Sequence, residues 1–190
     1  MKKYLISLAI LLLAFFSVNS FAQDNVKSTK DGETMYYSKP FLIKLDLLMH
    51  IQVEYRLVAL KKGNQDLGYA FYVTPNYDNP SASKDKAILF RLSNQEVIRC
   101  QAMRDYGEDD RTLAQNATNN ASNRKFLEAF YMVTEEDLNK LMTGVIIKMR
   151  VEFDNVNIDL DEKRCKSIPK HLATSYKFIN DLKTSNVEKF

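Results

Sequence analysis

Alternation of apolar and polar side chains with a period of two recurs along this chain, and it restricts the fold more than any other feature. Ile51, Val53, Tyr55 and Leu57 alternate with Gln52, Glu54 and Arg56, which lays one apolar face along a strand. Lys61-Lys62-Gly63-Asn64 interrupts the run and Gly68 to Val73 resumes it, so two antiparallel strands joined by a loop are expected. Ile88, Phe90 and Leu92, then Ser93-Asn94-Gln95, then Ile98, Cys100 and Ala102 spell out a second hairpin. Met35-Tyr36-Tyr37, Phe41-Leu42-Ile43 and Phe126 to Val133 add segments rich in aromatic and branched residues, the composition that suits strands. Val145, Ile147, Met149, Val151 and Phe153 alternate in turn, and the phase then slips by one at Asp154-Asn155, because Val156, Ile158 and Leu160 fall on even positions. A turn or bulge must absorb that slip.

Helical spacing occurs twice. Thr134 can cap a short helix, followed by Glu135, Glu136 and Asp137 in the positive first turn. Leu138, Leu141 and Met142 would form its inner face, and Gly144 is expected as a left-handed stop. Cys165, Ile168, Leu172, Tyr176, Ile179 and Leu182 recur at three- and four-residue intervals, an amphipathic helix whose regular part must begin near Ser167 because Pro169 belongs in a first turn. Strands and helices do not alternate, which argues against a doubly wound parallel sheet. The expected fold is α+β: a mainly antiparallel sheet or sandwich, one short helix, and a C-terminal amphipathic helix packed on it.

The first residues read as an address. Met1-Lys2-Lys3 is basic, Leu5 to Phe16 is apolar apart from Ser7, and Ser20-Phe21-Ala22 places small residues three and one positions before Gln23. Those are the parts of a secretory signal peptide, and the apolar run is too short for a membrane span. Residues 1–22 are thus expected to be a cleaved signal of bacterial type, 23–33 a disordered lead-in, and 34–190 a single strand-rich domain. Cleavage would remove Lys2 and Lys3 and leave 25 basic against 24 acidic residues. So even a balance gives no footprint for nucleic acid and no general attraction to anionic lipid. The expected location is periplasmic or extracellular, with no membrane span in the mature chain.

Candidate chemistry is sparse. Cys100 and Cys165 are the only cysteines; in an oxidising compartment a disulfide between them and a pair of buried thiols are both open readings. His50 and His171 are the only histidines, too few for a zinc set without helpers, and no H-E-x-x-H or C-x-x-C occurs. The run from Asp154 to Glu162 has spaced oxygen donors, but an EF-hand begun at Asn155 would need Gly where Leu160 stands and Glu where Lys166 stands. Asp105, Glu108, Asp109 and Asp110 could offer paired carboxylates only if a rigid element held them, and their surroundings read as a floppy loop. No G-x-S-x-G is present, and the glycines at 32, 63, 68, 107 and 144 never cluster into a phosphate loop. The sequons at Asn116 and Asn120 matter only in a eukaryotic secretory route. Tyr69, Phe71, Tyr72 and Tyr77 could line a groove, although aromatic residues on strands usually build core.

No cofactor is expected. The reading that remains is an exported, non-catalytic binding or assembly protein of a bacterial envelope. Its partner would be an envelope or secreted protein, met through the polar loops at 74–86 and 105–123. The alternative is a small secreted hydrolase built from scattered Asp, His and Ser residues. That alternative requires His50 or His171 beside a carboxylate in a concave pocket.

Overall fold

The computed structural model describes residues 25–28, 33–46, 51–76, 79–113, 125–160 and 162–187. Its centre is a hairpin of two strands, β4 (Ile51–Lys62) and β5 (Gln65–Asn76), each of 12 residues and joined by the two-residue turn Gly63-Asn64. The odd positions of both strands face inward: Val53, Tyr55, Leu57 and Ala59 on β4, and Tyr69, Phe71 and Val73 on β5 are buried. Two short strands share the far edge of β4. β2 (Glu33–Tyr37) pairs with Val58–Lys62, and β3 (Phe41–Asp46) pairs with Ile51–Tyr55. Where the chain passes from one to the other, the buried Ser38 keeps the ladder whole. Its N–H donates to the Leu57 carbonyl and its Oγ accepts from the Leu57 N–H at 2.9 Å. β1 (Val26–Ser28) extends this sheet beyond β2, and β10 (Ala129–Val133) closes its other side against β5. The lead-in expected to be disordered therefore holds a strand, with Val26 packed against the core.

A second sheet lies across the inner face, its strands in the order 157–160, 146–152, 87–92 and 97–101. β6 (Ala87–Leu92) and β7 (Val97–Gln101) are the expected hairpin, with Gln95 at φ 73° closing its turn. β11 (Ile146–Glu152) and β12 (Asn157–Leu160) form the next hairpin, and the Phe153–Val156 turn absorbs the predicted phase slip. All pairings in both sheets are antiparallel. Phe71 of the large sheet meets Phe90 of the small one at 5.5 Å between ring centroids, an aromatic contact at the middle of the shared core. Two further short strands, β8 (Arg111–Leu113) and β9 (Lys125–Leu127), pair with one another.

α1 (Glu135–Thr143) begins at the predicted cap, where Thr134 Oγ1 accepts from the Asp137 N–H at 3.0 Å. Leu138 and Leu141 are buried. After the short α2 (Glu162–Cys165), α3 (Ile168–Val187) sinks Ile168, Leu172, Ser175 and Ile179 into the core, with Pro169 in its first turn. The chain is thus an α+β fold, mostly antiparallel sheet with the C-terminal helix packed on it.

Three local expectations need correction. Gly144 is not left-handed; its φ is −83°. The residue is glycine because a Cβ there would sit 2.7 Å from the Lys140 carbonyl oxygen, closer than packed atoms come. The alternation begun at Val145 is broken by a bulge between Ile146 and Lys148, so Ile146 turns inward and Val145 is 57% exposed. The run from Phe126 to Val133 is two strands, not one, since Glu128 leaves the ladder and donates its N–H to the Asp110 carbonyl.

Gly68 lies opposite Leu60 beside an irregularity in the β4–β5 register and has φ +112°. A Cβ there would find room, its nearest contact being Met132 Cε at 4.0 Å, so the constraint is on the backbone rather than on space. Gly68→Ala is expected to lower stability by about 1–3 kcal/mol, the cost of forcing a side-chain-bearing residue into that conformation. Urea denaturation would show it as a lower midpoint with unchanged slope.

Candidate functional site

A β-bridge joins the edges of the two sheets. Ala102, just beyond β7, bridges to Tyr131 of β10, and the Met103 N–H donates to the Phe130 carbonyl at 2.9 Å. Past this bridge β10 runs into the Thr134 cap while β7 continues to Val97, and the strands part. The opening is a groove of about 430 Å³ lined by residues that include Leu67, Tyr69, Arg99, Met132, Glu135 and Lys183. Leu67 and Met132 are among the exposed large apolar residues, as is Val97 nearby on β7.

The ionisable groups of the groove are already engaged. Lys183 Nζ lies 2.9 Å from Asp66 and 5.7 Å from the centre of the Tyr69 ring. Tyr69 donates to Asn180 Oδ1 at 3.3 Å, and Tyr176 donates to Glu135 Oε1 at 3.2 Å. Burial, reinforced by the neighbouring Tyr176, pushes the Tyr69 phenol above its usual range, so it stays protonated. Arg99 donates to the Asp85 carbonyl and lies 3.8 Å from Glu152. These contacts hold the polar groups of the groove in place.

A second depression, of about 520 Å³, lies at the corner formed by residues 81–83, 104–110 and 154. The acidic run there is ordered, contrary to expectation. Glu108–Asp110 forms a 3₁₀ turn, with Asp110 paired to Arg104 and accepting from the Gly107 N–H at 3.0 Å. The Arg104 bonds hold Asp110 below the usual carboxylate range. Asp105 Oδ1 accepts from the Lys84 N–H at 2.7 Å, and Asp154 Oδ1 accepts from both the N–H and the hydroxyl of Ser83. Burial acts to raise Asp154, but the bonds from Ser83 and Ser81 outweigh it and leave the group lowered. The bridge between Ala82 and Tyr106 ties the corner together. These carboxylates therefore hold two loops against each other. Asp159, from the spaced oxygen donors, is taken instead by Arg150 at 2.7 and 2.8 Å. No group of three or more metal-binding side chains comes together among the described residues.

His171 sits on α3 against the rings of Phe41 and Tyr55, with centroid distances of 4.8 and 5.7 Å. Its Nε2 is 3.3 Å from Ser175 Oγ, one helical turn away. The pair resembles a catalytic dyad only in composition. Ser175 is 4% exposed, and the sole cause lowering the His171 pKa is burial, with no carboxylate contributing. Tyr69 and Phe71 face the core while Tyr72 points to the other side of the sheet, so the three do not line one groove. There Tyr72 meets Tyr37 edge to face and Phe130 at a tilt, over Val58, Leu60 and Ala70. His50, Tyr77, Asp161, the two sequons and the signal segment lie outside the described residues.

Cys100 and Cys165 are both buried free thiols, so no disulfide joins them. Sheet order explains this. Cys100 lies on β7 and Cys165 follows β12, at opposite edges of the four-stranded sheet. Three strand spacings separate those edges, about 14 Å, whereas a bridge needs Cα atoms within about 7 Å. Cys165 Sγ instead lies 3.7 Å from the Leu160 carbonyl, and burial, then the charge of Asp137, pushes the Cys100 thiol upward.

No protein-family model matches the chain, and comparison with curated proteins and with solved structures finds no match. Among the described residues, no helix is long and apolar enough to cross a membrane.

Two measurements check this chemistry. A thiol reagent should find no reactive cysteine in the native chain and two after denaturation without reductant, with the same gel mobility whether or not reductant is present. The second concerns pH. An unfolded histidine binds its proton near pH 6.5, whereas His171 in the fold binds it at lower pH. The unfolded chain therefore holds more protons in the window below about 6.5, and stability falls as pH falls through it. His171→Gln should flatten that part of the stability–pH curve, and an equally steep curve would contradict the assignment.

Proposed function

We propose that this chain is an exported, non-catalytic binding or assembly protein of a bacterial cell envelope, and that it meets its partner at the groove between β7 and β10. The observation carrying this reading is the groove itself. It presents exposed Leu67 and Met132 beside Arg99, while its tyrosines and its lysine are already committed to protein partners. An apolar pocket rimmed by fixed polar groups suits recognition. The export part of the reading is supported by the pattern of residues 1–22. The hydrolase alternative draws less support, because His171 faces aromatic rings and a buried serine rather than a carboxylate.

The test is affinity capture of the full chain, tagged at its C-terminus and expressed in its own cell, after mild crosslinking of envelope and secreted fractions. A stoichiometric protein partner is expected, lost in Met132→Glu and retained when 114–123 is shortened. Loss only in the shortened variant would move the contact to the loop. No partner in any fraction, together with a hydrolytic activity that His171→Gln abolishes, would overturn the reading in favour of the enzyme.

A further inference from the structure

We infer that the open edge of β7 receives an extended acidic segment of the partner protein as an added strand. This inference rests on the binding reading above and gives that partner a chemistry. It begins with the direction of main-chain groups. The Ala102 N–H donates to the Lys86 carbonyl, and the Glu96 carbonyl accepts from the Leu92 N–H. Even-numbered residues of this segment therefore turn their main-chain groups toward β6. In an antiparallel ladder each residue points both groups to the same side, so Val97 and Arg99 turn theirs outward. The bridge between Ala102 and Tyr131 marks where β10 lies alongside the end of β7. Beyond it the edge of β7 faces the groove, and Val97 is 56% exposed.

Charge selects the occupant. The outer face of the small sheet is organised in cross-strand rows. Val97 lies opposite Arg91, and Arg91 opposite Lys148; Arg99 lies opposite Leu89, Leu89 opposite Arg150, and Arg150 opposite Asp159. Asp159 is bound by Arg150 and lies 4.0 Å from Lys148, while Glu152 lies 3.8 Å from Arg99. Four cations thus share two carboxylates, and Arg91 and Lys148 face each other directly, an arrangement that costs stability in a sheet. An added strand would extend both rows by one residue. Carboxylates on its outward face would lie beside Arg99 and in the row of Val97 and Arg91, and would relieve that excess. A second copy of this chain is the weaker occupant. Pairing β7 with itself about Arg99 sets arginine against arginine, and any such pairing joins two basic faces. Main-chain bonds would supply affinity and the charged row would supply selectivity, the usual division in strand addition.

The test uses the full chain with an alternating Val/Glu hexapeptide and its Val/Lys counterpart as probes. Amide exchange at Val97 and Arg99 should slow about tenfold with the Glu probe and stay unchanged with the Lys probe. Val97→Pro removes an outward donor without breaking the β6–β7 ladder, so it should abolish binding yet keep the native thermal midpoint, as edge prolines do. Arg99→Glu keeps the donor and should invert the preference between probes, which keeps the test decisive if the proline variant folds poorly. Equal protection by both probes, undiminished binding to Val97→Pro, or slowed exchange that depends only on chain concentration would overturn the proposal. So would binding of a sulfated polysaccharide with no amide protection and no response to the Glu probe. If the probes fail while capture still yields a partner lost in Met132→Glu, strand addition falls and the binding reading survives; if both fail, neither stands.

Discussion

The rest of the structure depends on the β4–β5 hairpin. Much of the described structure is built on its two long strands. β2 and β3 divide one edge of β4 between them, β10 takes the free edge of β5, and the inward row of Tyr55, Leu57 and Phe71 is the surface on which the second sheet and α3 settle. A one-residue slip here would turn that row to the outside. Register is held at several points along β4, including the double hydrogen bond between Ser38 and Leu57.

How far the sequence could be read follows from which interactions are local. Alternation marked β4, β6 and β7 and the faces they bury, because period-two burial is a property of each strand alone. Thr134 and the acidic residues after it marked α1 for the same reason. The features that escaped depend on distant atoms. Glu128 breaks a strand because Asp110 offers it a carbonyl, and the bulge after Ile146 is defined only against β6. The ordered acidic corner likewise needs Ser83 and Lys84 from another loop.

The candidate site was less legible than the fold. Arg99, Met132, Tyr69 and Lys183 come from β7, β10, β5 and α3, and no spacing in the chain announces their meeting. Tyr69 and Asn180, which bond across the groove's flank, are 111 residues apart. The groove lies beside the bridge that joins β10 to the end of β7, a fact of topology rather than composition. The cysteines teach the same lesson: compartment and count left a bridge and two buried thiols both open, and the order of strands sets the two residues at opposite edges of a sheet.

The pairing of β8 with β9, Arg111 opposite Leu127 and Leu113 opposite Lys125, has an evolutionary consequence. It clamps both ends of the intervening segment independently of what lies between them. The entropy of closing such a segment grows only with the logarithm of its length, so insertions and deletions there impose little on the sheets. That stretch can therefore be lengthened, shortened or rewritten at little cost to the hairpins on either side. Length variation between β8 and β9, against constant spacing within β4–β5 and β6–β7, is the signature by which divergent members of its lineage would be recognised.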